Sequence, residues 1–589
     1  YTPPHRNMVQ RNLKRLHSIH VSRLRNTLKN VKHIALTAYF WSDRHQNSFF
    51  FITGHYIEDM VSKTTILHFQ SYDKRHSSSQ IASEVYNCLR ELGIEQKVTS
   101  VTCDGAQNMK NAFDMFDGAD RLWCVAHRLH LTICNGLALW KKFNKAEDNS
   151  NTNGIDSDES IDVKTSLDEY DTEMVQDGSE NEKMDRAIDD YDDEDEENQD
   201  LITDSWGDSI ATGDIANMDI DEGDNEQDTP ITKENLAKTI HKGRQLIKTI
   251  RRSQILTMFI NNEKKGLKIT CHLIMDCITR WNSTYLAIKS LQEHKTVMLN
   301  LFENKGKLPI PTKQKEKLTL LEISSDDWTL INNLIYLLKP FYEATSLLSG
   351  TKYPTIGLRL FAIQNIKEYL EKEDDDQSEI LTTLKKFVLQ SLNEYFDEND
   401  PQYKLLVLYG YFEPLGYSIL STAEKTKIER GIKQKSKELS KAPNSNTVAS
   451  ASSISSAHIS QSATPKSNIN TQNNNNNKRL ASFLKSIDKY VPNERASTKK
   501  ISEEISLYGS LCRSNSSIDA LTFWKVNGDQ MPLLKEMAQV YLSTPGTSVP
   551  SESAFSTSAY IGRKERARLS PENLSYTVFL KDKLLSSIN

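Results

Sequence analysis

Apolar residues recur along this chain with two different periods, and the change between them divides it. In "HRNMVQRNLKRLHSIHVSRLRNTLKNV", Leu13, Ile19, Val21, Leu24 and Leu28 fall at approximately helical spacing, which predicts an amphipathic lead-in helix over residues 1–31. Three strand-like runs follow, "HIALTAYFW", "SFFFITGHYI" and "TTILHFQSY", dense in β-branched and aromatic residues. The stretch "SSSQIASEVYNCLREL" opens with serines suited to capping and places Ile81, Val85, Leu89 and Leu92 on one helix face. Next come a strand, "KVTSVTCD", a helix near "AQNMKNAFDMF", and a strand-to-helix stretch, "LWCVAHRLHLTICNGL". Three meandering strands followed by alternating helix and strand predict a mixed sheet with helices on its faces.

From about Pro230 the period becomes helical and stays so. "ENLAKTIHKGRQLIKTIRRSQILTMFI" is amphipathic and basic, and further helical segments run through "RWNSTYLAIKSLQEH", "DDWTLINNLIYLLKPFYEATSLLSG" and "EILTTLKKFVLQSLNEYF". Two stretches lack any period. Residues 147–229 are acidic with few large apolar side chains, and 425–479 are rich in Ser, Asn, Lys and Thr, so both read as disordered inserts. The expected organisation is therefore a basic lead-in (1–31), an α/β part (32–146), the acidic insert (147–229), an all-helical part (230–424), the Ser/Asn-rich insert (425–479) and a last part (480–589) that is again helical.

Charge changes the picture. The chain carries a net −6, but residues 147–228 hold 32 acidic against 3 basic residues, a net of −29, which leaves the remainder at +23. A remainder that basic suits a polyanionic partner, although an ordinary basic surface with a solvated acidic linker fits the same numbers. Residues 1–32 contain eight Lys or Arg and no Asp or Glu. The seven cysteines show no C-x-x-C pair, which favours a reducing compartment, cytosol or nucleus, over a disulfide scaffold. No apolar run approaches the roughly 18 residues of a membrane span, so no membrane partner is expected. The chain opens at Tyr1 and is read as a piece lacking its natural N-terminus.

Asp104 stands where the strand "VTSVTCD" gives way to "GAQN". A carboxylate at a strand's C-terminal end is well placed to face a crevice outside the sheet, although a lone Asp there is more often a turn-maker or cap. Five further segments bear on that choice: "CVAHRLHL", "DCITRWNSTYLAI", "FYEATSLLSGTKYPTI", "FWKVNGDQMPLLKEMAQVYLSTPGTSVPSESAFS" and "RKERARLSPENL". In this order they resemble the signature segments of hAT-superfamily DNA transposases. The resemblance runs from the N-terminus to about residue 586, the two inserts excepted.

The resemblance implies an RNase H-like domain interrupted by a helical insertion and closed by a C-terminal dimerisation segment. It also implies two Asp and one Glu that hold divalent metals (Mg2+ or Mn2+) for DNA cleavage and strand transfer. Two metal ions about 4 Å apart need several carboxylates to balance their charge. Asp104 matches the second Asp, and Glu552 in "SESAFS" the Glu, where the family usually has Arg next and this chain has Ser553. The first Asp falls on Tyr39 of "LTAYFWS". A phenol, with a pKa near 10, offers no anionic oxygen at neutral pH. Asp43 shares that strand face but lies about 13 Å further on, at about 3.3 Å per residue. A transposase-like fold without normal cleavage activity is therefore expected, against an active enzyme with a relocated ligand.

Other positions carry over by the same resemblance. Arg280 and Trp281 match an Arg-Trp pair whose Trp stacks on a flipped base; an ordinary buried Trp is the plainer alternative. Cys124 and His127 match a Cys-x-x-His element, as wall or phosphate contact, zinc pair or core pair. Trp281, Arg280 and His127 are accordingly candidate DNA contacts, with Lys242, Arg244, Lys248, Arg251 and Arg252 of the basic helical insertion. Phe523, Trp524, Leu533, Leu534, Tyr541, Leu542 and Phe555 are candidates for the dimer interface. A BED zinc finger, common in the family, would have to precede Tyr1. The expected partners are DNA, a second copy or higher oligomer, and basic proteins such as histones on the acidic insert, in the nucleus. A dimeric scaffold without DNA binding is the remaining alternative.

Overall fold

The computed structural model describes residues 5–42, 47–139, 231–276, 281–350, 353–373, 378–441, 500–514, 519–548 and 569–585. A basic helix, α1 (Arg6–Lys29), precedes strand β1 (Ile34–Ser42). Strands β2 (Ser48–Glu58) and β3 (Val61–Ser71) complete the antiparallel meander. Helix α2 (Ser78–Leu92) then crosses to β4 (Val98–Cys103), and α3 (Gln107–Phe113) to β5 (Asp120–Trp123). The strand order is β3-β2-β1-β4-β5, with β1–β4 and β4–β5 parallel, the mixed sheet expected from the pattern. Ile81, Val85, Leu89 and Leu92 all face the core, and Gly93, at φ +69°, ends α2 in the left-handed conformation. Ser77 occupies the N-cap position of α2 without a side-chain capping bond.

Helix α4 (Val125–Gly136) leaves β5 and joins the sheet to the helical part. Its last residue packs on a later helix, where a Cβ on Gly136 would come within 3.1 Å of the Val388 backbone. The helical part comprises α5 (Lys233–Arg251), α6 (Gln254–Leu267), α7 (Trp281–Glu293), α8 (Lys295–Asn304), α9 (Thr312–Leu320) and α10 (Ser325–Leu348). It continues through α11 (Ile356–Glu371), α12 (Glu379–Tyr395), α13 (Pro401–Gly410), α14 (Pro414–Ile419) and α15 (Thr422–Lys441). The last part holds α16 (Ile501–Ser514), α17 (Ala520–Asn527), α18 (Pro532–Leu542) and α19 (Pro571–Leu585).

Helix α15 corrects the expected start of the Ser/Asn-rich insert at 425. Ser421 and Glu424 form a reciprocal cap, the Ser421 amide donating to Glu424 Oε2 (2.8 Å) and the Glu424 amide to Ser421 Oγ (3.2 Å). Ile428 and Ile432, one turn apart, are buried. A cap and two buried isoleucines outweigh the polar composition that suggested a linker. The acidic stretch 147–229 lies outside the described residues, as does most of 425–479.

Helix α19 is bonded to the sheet. Asp582 of α19 accepts from the Ile66 amide (3.2 Å), and Lys583 donates to the Ile66 carbonyl (2.7 Å). This is the bulge in β3 where Ile52 pairs with His68 but Thr53 with Ile66. Side chains from the C-terminus thus satisfy backbone groups that the irregular ladder leaves over.

Candidate functional site

The C-terminal ends of β1 and β4 set the geometry. These strands are parallel, with Thr37 opposite Thr102. Continuing that register by two places puts Tyr39 level with Asp104, on the same side of the sheet by the two-residue strand period. Both are buried, Tyr39 at 1% and Asp104 at 2% exposure. Tyr39 pairs with Phe51 across β2 and belongs to the sheet's hydrophobic core. Asp104 Oδ1 accepts from the Ala106 amide at 3.1 Å, closing the turn into α3.

Gly105, next in sequence, abuts His127 on α4: a Cβ there would stand 3.2 Å from His127 Nε2. His127 is fully buried, and burial first, then neighbouring His130 and Arg128, hold its pKa well below the ordinary value, so the imidazole is neutral. Cys124 is the N-cap residue of α4, and its amide donates to the Cys103 carbonyl (2.9 Å). Its sulfur receives the Ser548 amide (3.3 Å) and lies 3.2 Å from Ser548 Oγ. Cys124 and His127 are therefore packed inside the protein, as the core alternative expected. Among the described residues no group of three or more His, Cys, Asp or Glu could hold a metal ion.

Ser548 ends a segment that is bound closely to the sheet. Ser100 Oγ and Thr544 Oγ1 are 2.6 Å apart, Thr102 Oγ1 donates to the Pro545 carbonyl (2.8 Å), and the Val125 amide to the Gly546 carbonyl (3.3 Å). From the helical part, buried Arg359 of α11 donates to the carbonyls of Trp123 (2.8 Å) and Gly546 (3.4 Å). Thr355 Oγ1 accepts from the Gly546 amide at 2.8 Å. Sequence reasoning missed Arg359, whose only signal was a charge inside an otherwise apolar helical stretch. Glu552 and Asp43 lie outside the described residues. Glu552 is four positions beyond Ser548, a reach of about 14 Å at most.

The described carboxylate at this site is Asp104, and the β1 position level with it in the extended register holds a tyrosine. Two divalent metals need several anionic oxygens, so the described residues do not fit a two-metal centre.

The proposed DNA contacts fare differently from expectation. Trp281, the first residue of α7, is 2% exposed and sits edge-on to Phe341 at 6.5 Å, so it is a core residue in this conformation. Its amide reaches His130 Nδ1 (3.5 Å), one turn beyond His127 on α4. Lys242 is engaged by Asp327 Oδ2 (2.8 Å) and the Glu322 carbonyl. Burial alone would raise the Asp327 pKa, but bonds from Lys242, Thr239 and Ser324 more than offset it and bring it to about 2. Arg244 donates to buried Asp276 (2.7 Å) and to Thr284 (3.1 Å). Both cations serve internal ion pairs rather than a surface. Lys248 and Arg251 are half-buried, Arg252 is exposed, and Arg280 lies outside the described residues.

The apolar stripe near the C-terminus is also mostly interior. Phe523, Trp524 and Leu534 are fully buried and Tyr541 and Leu542 nearly so, while Leu533 is 41% exposed. Trp524 stacks on Tyr508 (5.1 Å) and donates to the Phe412 carbonyl (2.9 Å). These side chains fill the protomer's own core; Phe555 lies outside the described residues.

Comparison with known families now bears on this arrangement. Residues 37–123 match the ZBED1 RNase-like domain, 231–336 the ZBED1 RNase-like helical domain, and 502–584 the hAT family C-terminal dimerisation region. These matches support a hAT-superfamily transposase-like chain. It is 22% identical over 327 residues to a putative AC transposase of Zea mays, covering 53% of this chain and 37% of that protein. It is 24% identical over 317 residues to zinc finger BED domain-containing protein 4 of Homo sapiens, covering 53% and 24%. A BED zinc-finger protein of Arabidopsis thaliana is 22% identical over 325 residues, covering 54% and 41%. The matched stretch thus spans less than half the length of each of these relatives. The RNase-like match ends at Trp123, just before Cys124 and His127, and the dimerisation match encloses the 543–548 segment and all of α19 but its last residue.

Proposed function

We propose that this hAT-like chain is a nuclear, homodimeric, transposase-derived protein that binds DNA and lacks two-metal cleavage and strand transfer. The observation that carries the loss of cleavage is Tyr39, buried level with Asp104 where the resemblance calls for a carboxylate. An aromatic packed into the sheet core supplies no anionic ligand, and moving it out would open a hole in that core. Relatives named as a transposase and as BED zinc-finger proteins support the DNA partner and the nuclear compartment, and the dimerisation match supports a second copy.

The test is nicking of supercoiled plasmid with Mg2+ or Mn2+. The expected result is no metal-dependent nicking. Metal-dependent nicking that Asp104→Ala abolishes would overturn the proposal and restore the active enzyme with a relocated ligand.

A further inference from the structure

Helix α1 carries seven Lys or Arg and no acidic residue over 24 positions. At 100° per residue they are not spread evenly. Arg11, Lys14, Arg15, Arg25 and Lys29 share one side, and Ser18 and Ser22 continue that side between them. All seven of these residues are exposed. The opposite arc does the packing: Leu24 and Leu28 are buried, and His17 lies 4.8 Å from the Tyr576 ring and 4.7 Å from Phe579 of α19. Before Leu13 the helix is exposed on every side. None of the basic residues of α1 enters an ion pair among the described residues, unlike Lys242 and Arg244.

We infer that this exposed face of α1 is a docking surface for the phosphate backbone of duplex DNA, an inference that rests on the DNA-binding part of the proposed function. From Arg11 to Lys29 the face is about 27 Å long at about 1.5 Å per residue, most of one duplex turn of about 34 Å. Small serines between the two basic groups let a sugar-phosphate strand approach the helix. The helix contains no Phe, Tyr or Trp. It therefore offers no platform for stacking single-stranded bases and no aromatic anchor for a lipid interface. What remains is contact with phosphates, largely independent of sequence and strongly dependent on salt.

The experiment measures binding of a labelled random-sequence duplex by anisotropy across a salt series. It compares the full chain with the Arg11→Gln/Lys14→Gln/Arg15→Gln/Arg25→Gln variant. A control variant removes the same charge from exposed lysines elsewhere, Lys265, Lys268, Lys313 and Lys317 to Gln. The α1 variant is expected to lose about 100-fold or more in affinity at about 0.1 M salt, with a slope of log K on log salt shallower by about 3 to 4. The control is expected to stay near the unaltered protein. Equal binding by the α1 variant, or equal loss by the control, overturns the inference and leaves DNA binding standing. No duplex binding by the unaltered chain overturns both. Binding of α1 to phosphatidylserine vesicles in preference to duplex also overturns the inference. Circular dichroism confirms that the variants fold.

Discussion

Consider the buried carboxylic acid at Glu413, the N-cap residue of α14, which is 2% exposed. Gly357 of α11 packs so closely on it that a Cβ at 357 would overlap the Glu413 side chain, 2.0 Å from its Cβ. Burial first, and the nearby charge of Asp519 second, raise its pKa from 4.5 to about 8. Tyr508 and Cys512 of α16 also feel its charge. The folded protein therefore holds a proton that the unfolded chain has released at neutral pH. Its favourable contribution is complete below about pH 4.5 and is lost as pH rises towards 8, flat thereafter. At about 1.36 kcal/mol per pH unit the whole loss is at most about 5 kcal/mol, of which about 3 has gone by pH 7. Glu413→Gln keeps the shape and removes the titration. Urea unfolding read by circular dichroism suits the test. The variant is expected to match the unaltered protein near pH 4.5 and to exceed it by up to about 3 kcal/mol at pH 7. Stability curves that run parallel across this range would refute the reasoning.

The buried imidazoles titrate with the opposite sign. Burial lowers His55 to about 3, and lowers His68 to about 4 against the pull of Glu84. Each is expected to cost about 1.4 kcal/mol of stability per pH unit as pH falls from 6.5, and His55→Gln should remove one such contribution from an acid-unfolding curve. Gly546→Ala places a Cβ 2.9 Å from the Thr355 carbonyl and should lower stability by about 1–3 kcal/mol, with faster proteolysis after Ser548. Phe523→Ala should cost the protomer about 3–5 kcal/mol, whereas Leu533→Ala, at an exposed position, should leave unfolding nearly unchanged and weaken self-association in sedimentation. A wild-type dimer constant in the Leu533 variant would remove that residue from the interface.

The strands were legible because their alternation is local. "HIALTAYFW" and "VTSVTC" announce themselves, and the position of Asp104 at a strand end follows from them. Helical faces were legible for the same reason, but a face does not name what covers it. Lys242 and Arg244 occupy a basic amphipathic segment, yet each reaches an acid 85 or 32 positions away, so sequence charge overstated the free cations of that helix. Trp281 and the stripe from Phe523 to Leu542 show the same limit, since a large apolar side chain in a motif fits a core as well as a ligand or a subunit. Arg359 and Gly546 meet across 187 positions, a contact no local period encodes. Composition misplaced the start of the second insert because two isoleucines at helical spacing weigh little in a polar average.

On the proposed reading, these long-range contacts explain how a scaffold of this kind outlasts its chemistry. The segment that leads to Glu552 is held by hydroxyls, backbone carbonyls and one buried guanidinium, from Ser100, Thr102, Thr355 and Arg359. None of those bonds passes through a metal, so the segment docks whether or not carboxylates gather at the sheet end. A carboxylate at 39 would be buried beside Asp104, and without cations two such charges repel and lose hydration together. A tyrosine there contributes packing to the core instead, alongside Phe51 and Phe69. On the proposed reading, the substitution that removes a metal ligand also stabilises the metal-free fold. Tyr39→Asp should therefore unfold at lower temperature than the unaltered protein without metal, and Mn2+ should narrow the gap only if Glu552 arrives at the same cleft. A Tyr39→Asp variant as stable as the unaltered chain without metal would sink this account of the exchange.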